Sequence, residues 1–391
     1  MAKLKPQIKS HKEVKKPPFE CVALLLQGGG ALGAYQAGVY QALSEANLEP
    51  DWVAGISIGA INCAIIAGNA PKDRVAKLRA FWEKMSTNTV WDMISEYTQK
   101  YAKGDLSHTF LNQSSAAGTM LNGIPGFFKP RPVSPWFQQE GSIEATSYYD
   151  TCDLYGTLKE LIDFDRINAH EMRMSLSAVD IRSGNFVVFD STTDQIGPEH
   201  IMASGALPPG FPAIEIDGEY FWDGGLVSNT PLEWVLDTKD RQDTLIFQVD
   251  LWNARGELPR NMAEVMTRQK EILYSSRTRA ATDKFKKQQK MRNAFSKLFA
   301  QMPDSLKKTH EAKILSASAD PKVYNIIHLI YRARSYEGDS KDYEFSKLSM
   351  EEHWKAGYHD TVRTLRYPQV VQRPTNHEGV FTFDIAEDGR G

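Results

Sequence analysis

The sequence predicts an α/β fold with a mostly parallel central sheet and helices packed on its faces. Three observations carry that expectation. Cys21-Val-Ala-Leu-Leu-Leu26 is an unbroken apolar run that stops at glycines and passes into a helical stretch over 34–45. Val53-Ala54-Gly55 repeats the arrangement, breaking at Ser57 and continuing as an apolar helix through Ile61 to Ala67. Leu245–Trp252 and Val323–Arg332 supply two further buried strands. A strand buried on both faces reads as continuous apolar residues, and consecutive βα units imply parallel pairing.

Composition is consistent with this. With 391 residues, 41% of them hydrophobic and 24% charged, the chain can bury one large domain of roughly 250 residues and carry an appendage. Cys21, Cys63 and Cys152 are too few and too scattered for a disulfide framework or a metal-binding pair, so a reducing compartment is expected. The longest apolar runs, Val22–Leu26 and Ile58–Ala67, are too short to span a bilayer. Residues 1–19 are Lys-rich, include Pro17-Pro18 and lack the apolar core of a signal peptide, so they read as a flexible basic arm. A cytoplasmic protein follows, with peripheral contact at a membrane left open.

Taken in order, the helix at 34–45 places Tyr35, Val39, Tyr40 and Leu43 on one side, and Asp51 leads into the second strand. Arg74–Met85 reads as another helix. From about 88 to 149 periodicity is lost, and large apolar residues (Trp91, Met93, Phe110, Met120, Phe127, Phe128, Trp136, Phe137) dot a Gly/Pro/Ser/Asn-rich segment. So long an irregular insertion suits a lid or an apolar binding wall. A helix near Tyr155–Ile162 follows, then a hairpin of 172–180 with 184–189. Ser204–Pro212 is a stiff loop. Ala213–Ile216 and Glu219–Trp222 flank Asp217-Gly218, a strong signal for a tight hairpin, which delivers Asp223-Gly224-Gly225 at a strand end.

The stretch 260–314 is helical and carries 14 Lys/Arg against 5 Asp/Glu. Apolar residues interleave with its charges, and a basic amphipathic helix suits an anionic membrane surface through about 268–313. Nothing further supports nucleic acid as a partner. Phe345 to Leu365 reads as a helix with Trp354 and Tyr358, followed by a polar tail. The expected organisation is an arm over 1–19, a main domain over 20–250 with its lid-like insertion over about 88–149, and a basic helical extension over 251–391 packing on the core.

The chemistry centres on Gly55-Ile-Ser57-Ile-Gly59. A serine on a turn too tight for flanking side chains leaves its hydroxyl exposed at a helix N-terminus, where free amides and the helix dipole favour negative charge. Gly28-x-Gly30-x-x-Gly33 also fits a dinucleotide fingerprint, but that requires an acid at the end of the second strand. Ser57 stands there, and Asp51 precedes the strand. Parallel strands end at one edge, so the Gly28–Gly30 amides and the Ser57 hydroxyl face a common crevice, as an oxyanion hole beside a nucleophile requires. No histidine lies near Ser57 in sequence. Asp223, held at a strand end by Gly224 and Gly225, is the candidate base, because partial burial raises a carboxyl pKa. A histidine after Asp223 (His310, His328, His353, His359 or His377) remains open as a third member.

In order and spacing, Gly28-Gly29-Gly30-x-x-Gly33, Gly55-Ile-Ser57-Ile-Gly59 and Asp223-Gly224-Gly225 resemble the patatin-like phospholipases over about 21–250. The segment from Tyr331-Arg332 to Tyr358 is similar to an extension on some bacterial members. The resemblance implies a three-layer αβα sandwich and a metal- and cofactor-independent lipid acyl hydrolase. It further implies Ser57 as nucleophile, Asp223 as base, and Gly28, Gly29 and Gly30 as oxyanion hole. Leu32 departs from the family, where many members carry Arg or Lys, and this bears on head-group or partner contacts. A non-membrane ester, such as a storage polyester or an acyl thioester, and a lipid-binding scaffold with an inactive site are the alternatives. The oligomeric state is left open.

Overall fold

The structure, a computed structural model, describes residues 8–86, 105–238, 240–275, 278–334, 337–376 and 378–385. Strands β1 (Cys21–Leu26), β2 (Trp52–Gly55), β5 (Arg173–Asp180), β6 (Phe186–Asp190), β7 (Ile214–Ile216), β8 (Glu219–Asp223), β9 (Thr244–Asp250), β10 (Tyr324–Ile330) and β11 (Val380–Phe383) form one sheet. Its order is β11-β10-β9-β1-β2-β5-β8-β7, with β6 also paired to β5. Strands β11 through β5 in that order run parallel, and β6, β7 and β8 close one edge in antiparallel fashion. A small ribbon, β3 (Lys129–Pro130) with β4 (Tyr149–Asp150), stands apart.

The helices are α1 (Ala34–Glu45), α2 (Ile58–Ala67), α3 (Pro71–Ser86), α4 (Asp105–Asn122), α5 (Cys152–Leu161), α6 (Phe164–Asn168), α7 (Pro198–Ser204), α8 (Leu232–Leu236), α9 (Met262–Tyr274), α10 (Thr278–Gln301), α11 (Asp304–Lys307), α12 (His310–Ser318) and α13 (Lys347–Leu365). Alternation along the strands builds three layers, because successive side chains leave opposite faces. Leu24 and Leu26, Leu245 and Phe247, and Ile327 and Leu329 enter a core with α1, α2, α3 and α13. Ala23 and Leu25, Ile246 and Ile326 enter a second core, with α8 and with Phe285 of α10.

The C-terminal part is therefore structural. It supplies β10, β11 and α13, and α13 lies against α1 at a crossing of two glycines. A Cβ on Gly38 would sit 1.9 Å from the Trp354 carbonyl oxygen, and one on Gly357 would sit 2.0 Å from that of Tyr35. Only glycine permits such an approach.

Three expectations are corrected. The insertion is not irregular throughout, because Asp105–Asn122 is helical; the buried stripe at its end is Ala116 and Thr119, too small to print an apolar period. Trp91, Met93 and the side chain of Phe110 lie outside the described residues. The segment after Leu365 is no polar tail: Val370 and Val371 are buried, and Val380–Phe383 adds an edge strand too short to show alternation. Residues 1–7 of the arm lie outside the description, but from His11 onward the segment is docked. His11 is buried, with its Nε2 3.3 Å from Glu45 Oε2 and its ring 5.9 Å from that of Tyr358. Among the described residues, no helix is long and apolar enough to cross a membrane.

Candidate active site

Strand β2 stops at Gly55, and α2 begins at Ile58. Ser57 bridges them with φ 55° and ψ −125°, a conformation that costs a non-glycine residue of order 1–3 kcal/mol. The turn is compressed against β1: a Cβ on Gly59 would lie 2.2 Å from the Leu26 carbonyl oxygen. The Ser57 N–H donates to Ser204 Oγ at 3.0 Å, so the buried C-terminus of α7 pins the elbow. The side chain is half-buried and faces a cavity.

The glycine-rich loop lines the same cavity, but its three amides are not equivalent. The Gly28 N–H donates to Asn229 Oδ1 at 3.1 Å, so it is engaged within the protein, contrary to its expected place in an oxyanion hole. Among the described residues, no acceptor takes the N–H groups of Gly29 or Gly30. The Ala31 N–H donates to the Asp342 carbonyl at 2.8 Å, which ties the loop to the C-terminal part. Gly33 abuts Ile58 and Trp82, and Leu32 is fully buried in the core. Leu32 therefore serves packing and makes no surface contact. Asp51 sits at the opposite edge, where its Oδ2 accepts from the Val22 N–H at 2.8 Å.

Asp223 ends β8, delivered by the tight hairpin at Asp217 (φ 52°) and Gly218 (φ 83°). Its carboxylate is 2% exposed. It accepts from the Gly225 N–H at 2.7 Å, and the Ser57 side chain lines the same cavity beside it. Burial pushes its pKa up to about 7, and the Gly225 N–H and the nearby Ser57 hydroxyl oppose that rise without cancelling it. Sequence elements far apart thus bring Ser57, Asp223, Gly29 and Gly30 to one cavity. Gly55, Gly224 and the other motif glycines shape the turns around it.

The cavity measures about 390 Å³. Its walls are aromatic. Phe127 lies 5.4 Å from Phe128, 5.9 Å from Phe211 and 6.3 Å from Phe345, ring to ring. The insertion, the 204–212 loop and the C-terminal part each contribute to this cluster. Phe127 and Phe128 of the insertion line the cavity, whereas Trp136 and Phe137 point to solvent, each 83% exposed.

No histidine is among the described lining residues. His328 pairs in β10 opposite Gln248, and His353 lies 3.5 Å from Glu337; His377 is outside the described residues. Sequence reading missed Asn229, Ser204, Trp252, Tyr274 and Asp342. Asn229 lies six positions after Asp223, but a lone amide carries no spacing signal, and the others meet the site only through the tertiary fold.

A mostly parallel sheet thus lies between two helical layers, and a serine turn at one strand end opens into an apolar cavity. Residues 24–236 match the family described as patatin-like phospholipase, and 272–377 match a second family described as patatin phospholipase. The chain belongs to the patatin-like phospholipase family. It is 25% identical over 247 residues to lysophospholipase NTE1 of Candida glabrata, covering 61% of this chain and 11% of that protein. It is 28% identical over 130 residues to patatin-like phospholipase domain-containing protein 7 of Rattus norvegicus, covering 32% of this chain and 9% of the relative. The chain thus spans about a tenth of the length of the curated relatives it matches. VipD from Legionella pneumophila aligns with 94% of this chain and 72% of its own at 16% identity, with a TM-score of 0.38.

Proposed function

We propose that this chain is a serine acyl hydrolase that cleaves carboxylic esters of lipids with a Ser57–Asp223 dyad. The buried Asp223 carboxylate, its pKa pushed up to about 7, in the same cavity as Ser57 and the glycine loop, carries the reading. A base is most effective when its pKa lies near the working pH, and burial gives this aspartate that property without a histidine. In the reaction, the Ser57 hydroxyl proton passes to Asp223 as Oγ bonds to the ester carbonyl carbon. The carbonyl oxygen becomes an oxyanion held by loop amides. The C–O bond to the alcohol then breaks, and the alcohol leaves with the proton from Asp223. Water attacks the acyl-serine with Asp223 again as base, which releases the acid and restores Ser57. The test is hydrolysis of p-nitrophenyl esters by the wild type, Ser57→Ala and Asp223→Asn. Loss of turnover in both variants supports the dyad, and unchanged rates reject it.

The substrate follows from the walls of the cavity. At about 390 Å³ it lies at the lower end of the range for small-molecule sites, roughly 300–1,000 Å³, so it suits one acyl chain. The Candida glabrata relative is named a lysophospholipase, in keeping with a single-chain lipid. Delivery of such a substrate is supported by α10. Phe285 packs inward, while Lys284, Lys287, Met291, Lys297 and Leu298 are exposed. A face that mixes cations with apolar residues suits an anionic bilayer surface. Co-sedimentation with anionic but not zwitterionic vesicles is the expected result, and equal recovery with both would reject the contact.

A further inference from the structure

The glycine loop is held by side-chain amides that the dyad does not use. Asn229 is buried and lines the cavity. Its Oδ1 accepts from the Gly28 N–H at 3.1 Å, and its Nδ2 donates to the Gly28 carbonyl at 3.0 Å and to the Tyr274 carbonyl at 3.0 Å. The Gly28 carbonyl has a second donor, Trp252 Nε1 at 2.9 Å. Gln27 braces the same assembly: its Oε1 accepts from the Leu251 and Trp252 N–H groups at 2.6 and 3.1 Å, and its Nε2 donates to the Tyr274 carbonyl at 3.0 Å.

The peptide joining Gly28 to Gly29 is planar and trans, so its N–H points opposite to its C=O. That N–H belongs to Gly29. With the carbonyl fixed by two donors, the Gly29 N–H is directed away from Asn229 and Trp252. It has no acceptor among the described residues, and Gly29 lines the cavity.

We propose that Asn229 is a positioning residue: by holding both polar groups of Gly28 it aims the Gly29 N–H at the developing oxyanion and withdraws the Gly28 N–H from that role. The oxyanion hole is then built from Gly29 and Gly30. In this role Asn229 acts through the orientation of one peptide plane. The Tyr274 carbonyl, shared by Asn229 and Gln27, makes the end of α9 part of the same brace.

The inference rests on the acyl hydrolase reading. Its test compares an ester with the corresponding thionoester, whose sulfur is a poor hydrogen-bond acceptor and gains little from aimed amides. In the full chain, Asn229→Leu removes these three side-chain bonds at nearly constant volume. Loss of one oxyanion donor costs about 10²–10³ in kcat, so misaiming one is expected to lower ester kcat about 10- to 100-fold. KM should stay within about threefold, and the ester-to-thionoester ratio of kcat should fall about tenfold. An unchanged ester kcat, or an equal fall for both substrates, would overturn the inference. Should Asn229→Leu fail to fold, Trp252→Phe removes the second donor to the same carbonyl, keeps a ring in place and is expected to lower the same ratio. A wild type without ester turnover overturns the hydrolase reading and this inference with it. An active wild type whose ratio survives both variants overturns this inference alone.

Discussion

Gly38 of α1 and Gly357 of α13 let two helices touch backbone to backbone, with no room for a Cβ on either. The contact joins the first βα unit to a helix near the end of the described chain. The C-terminal part is accordingly bound into the core by close packing and by a shared sheet.

Gly38→Ala would press a Cβ to 1.9 Å from the Trp354 carbonyl, and the helices must separate to admit it. Overpacking of this kind is expected to cost about 3 kcal/mol or more, read as a lower urea midpoint. Gly156→Ala is the matched control. It lies inside α5 with nothing within 4 Å of the added carbon, so it should stabilise by about 0.5–1 kcal/mol.

Ser57 holds a backbone conformation that glycine adopts readily. Ser57→Ala and Ser57→Gly both lose the hydroxyl and should lose activity by a factor of at least about 10³. They should differ in stability, with the glycine variant ahead by about 1 kcal/mol, because it alone is relieved of the positive φ. Equal melting temperatures would show that the turn relaxes around alanine.

The raised pKa of Asp223 sets two pH dependences of opposite sense. In the proposed role of base it works ionised, so kcat/KM should fall with unit slope as pH drops below about 7 and level off above it. Stability runs the other way. Between the unfolded value near 3.8 and the folded value near 7, the native state keeps a proton that the unfolded chain has released, so stability declines as pH rises through that window. At about 1.4 kcal/mol per pH unit, the buried charge costs up to about 4 kcal/mol above pH 7. Asp223→Asn should therefore be more stable than the wild type at pH 8, with the gain vanishing near pH 4, as thermal melts at the two values would read.

Phe345 closes one side of the cavity from the C-terminal part. Phe345→Ala should cost about 3 kcal/mol in stability and lengthen the pocket. Each further methylene that fits is worth about 0.8 kcal/mol, roughly fourfold in preference for longer over shorter p-nitrophenyl esters. An unchanged chain-length profile would place the acyl chain elsewhere.

Ser57 and Asp223 were legible because their backbone settings demand glycine: Gly59 against the end of β1, and Asp217-Gly218 at the turn before Asp223. Strands β1, β2, β9 and β10 were legible because burial on both faces leaves uninterrupted apolar runs. Asn229 was not, since its work is done by an amide reaching Gly28, and no local pattern marks such a partner. The end of α4 hid for a related reason, because Ala116 and Thr119 fill a shallow contact without an apolar period. Asp342 and Phe345 join the cavity through tertiary packing, which spacing along the chain does not encode. The engagement of the Gly28 amide likewise depends on a residue two hundred positions away.

The bond from the Ala31 N–H to the Asp342 carbonyl, together with Phe345 in the cavity wall, has a bearing on biosynthesis. A polypeptide leaving the ribosome exposes its serine turn long before Asp342 has been translated. Until that late segment emerges and docks, the loop beside the serine lacks one of its tethers and the cavity one of its sides. The loop and the cavity around Ser57 are therefore fully assembled only after residues translated long after the serine have folded back onto them.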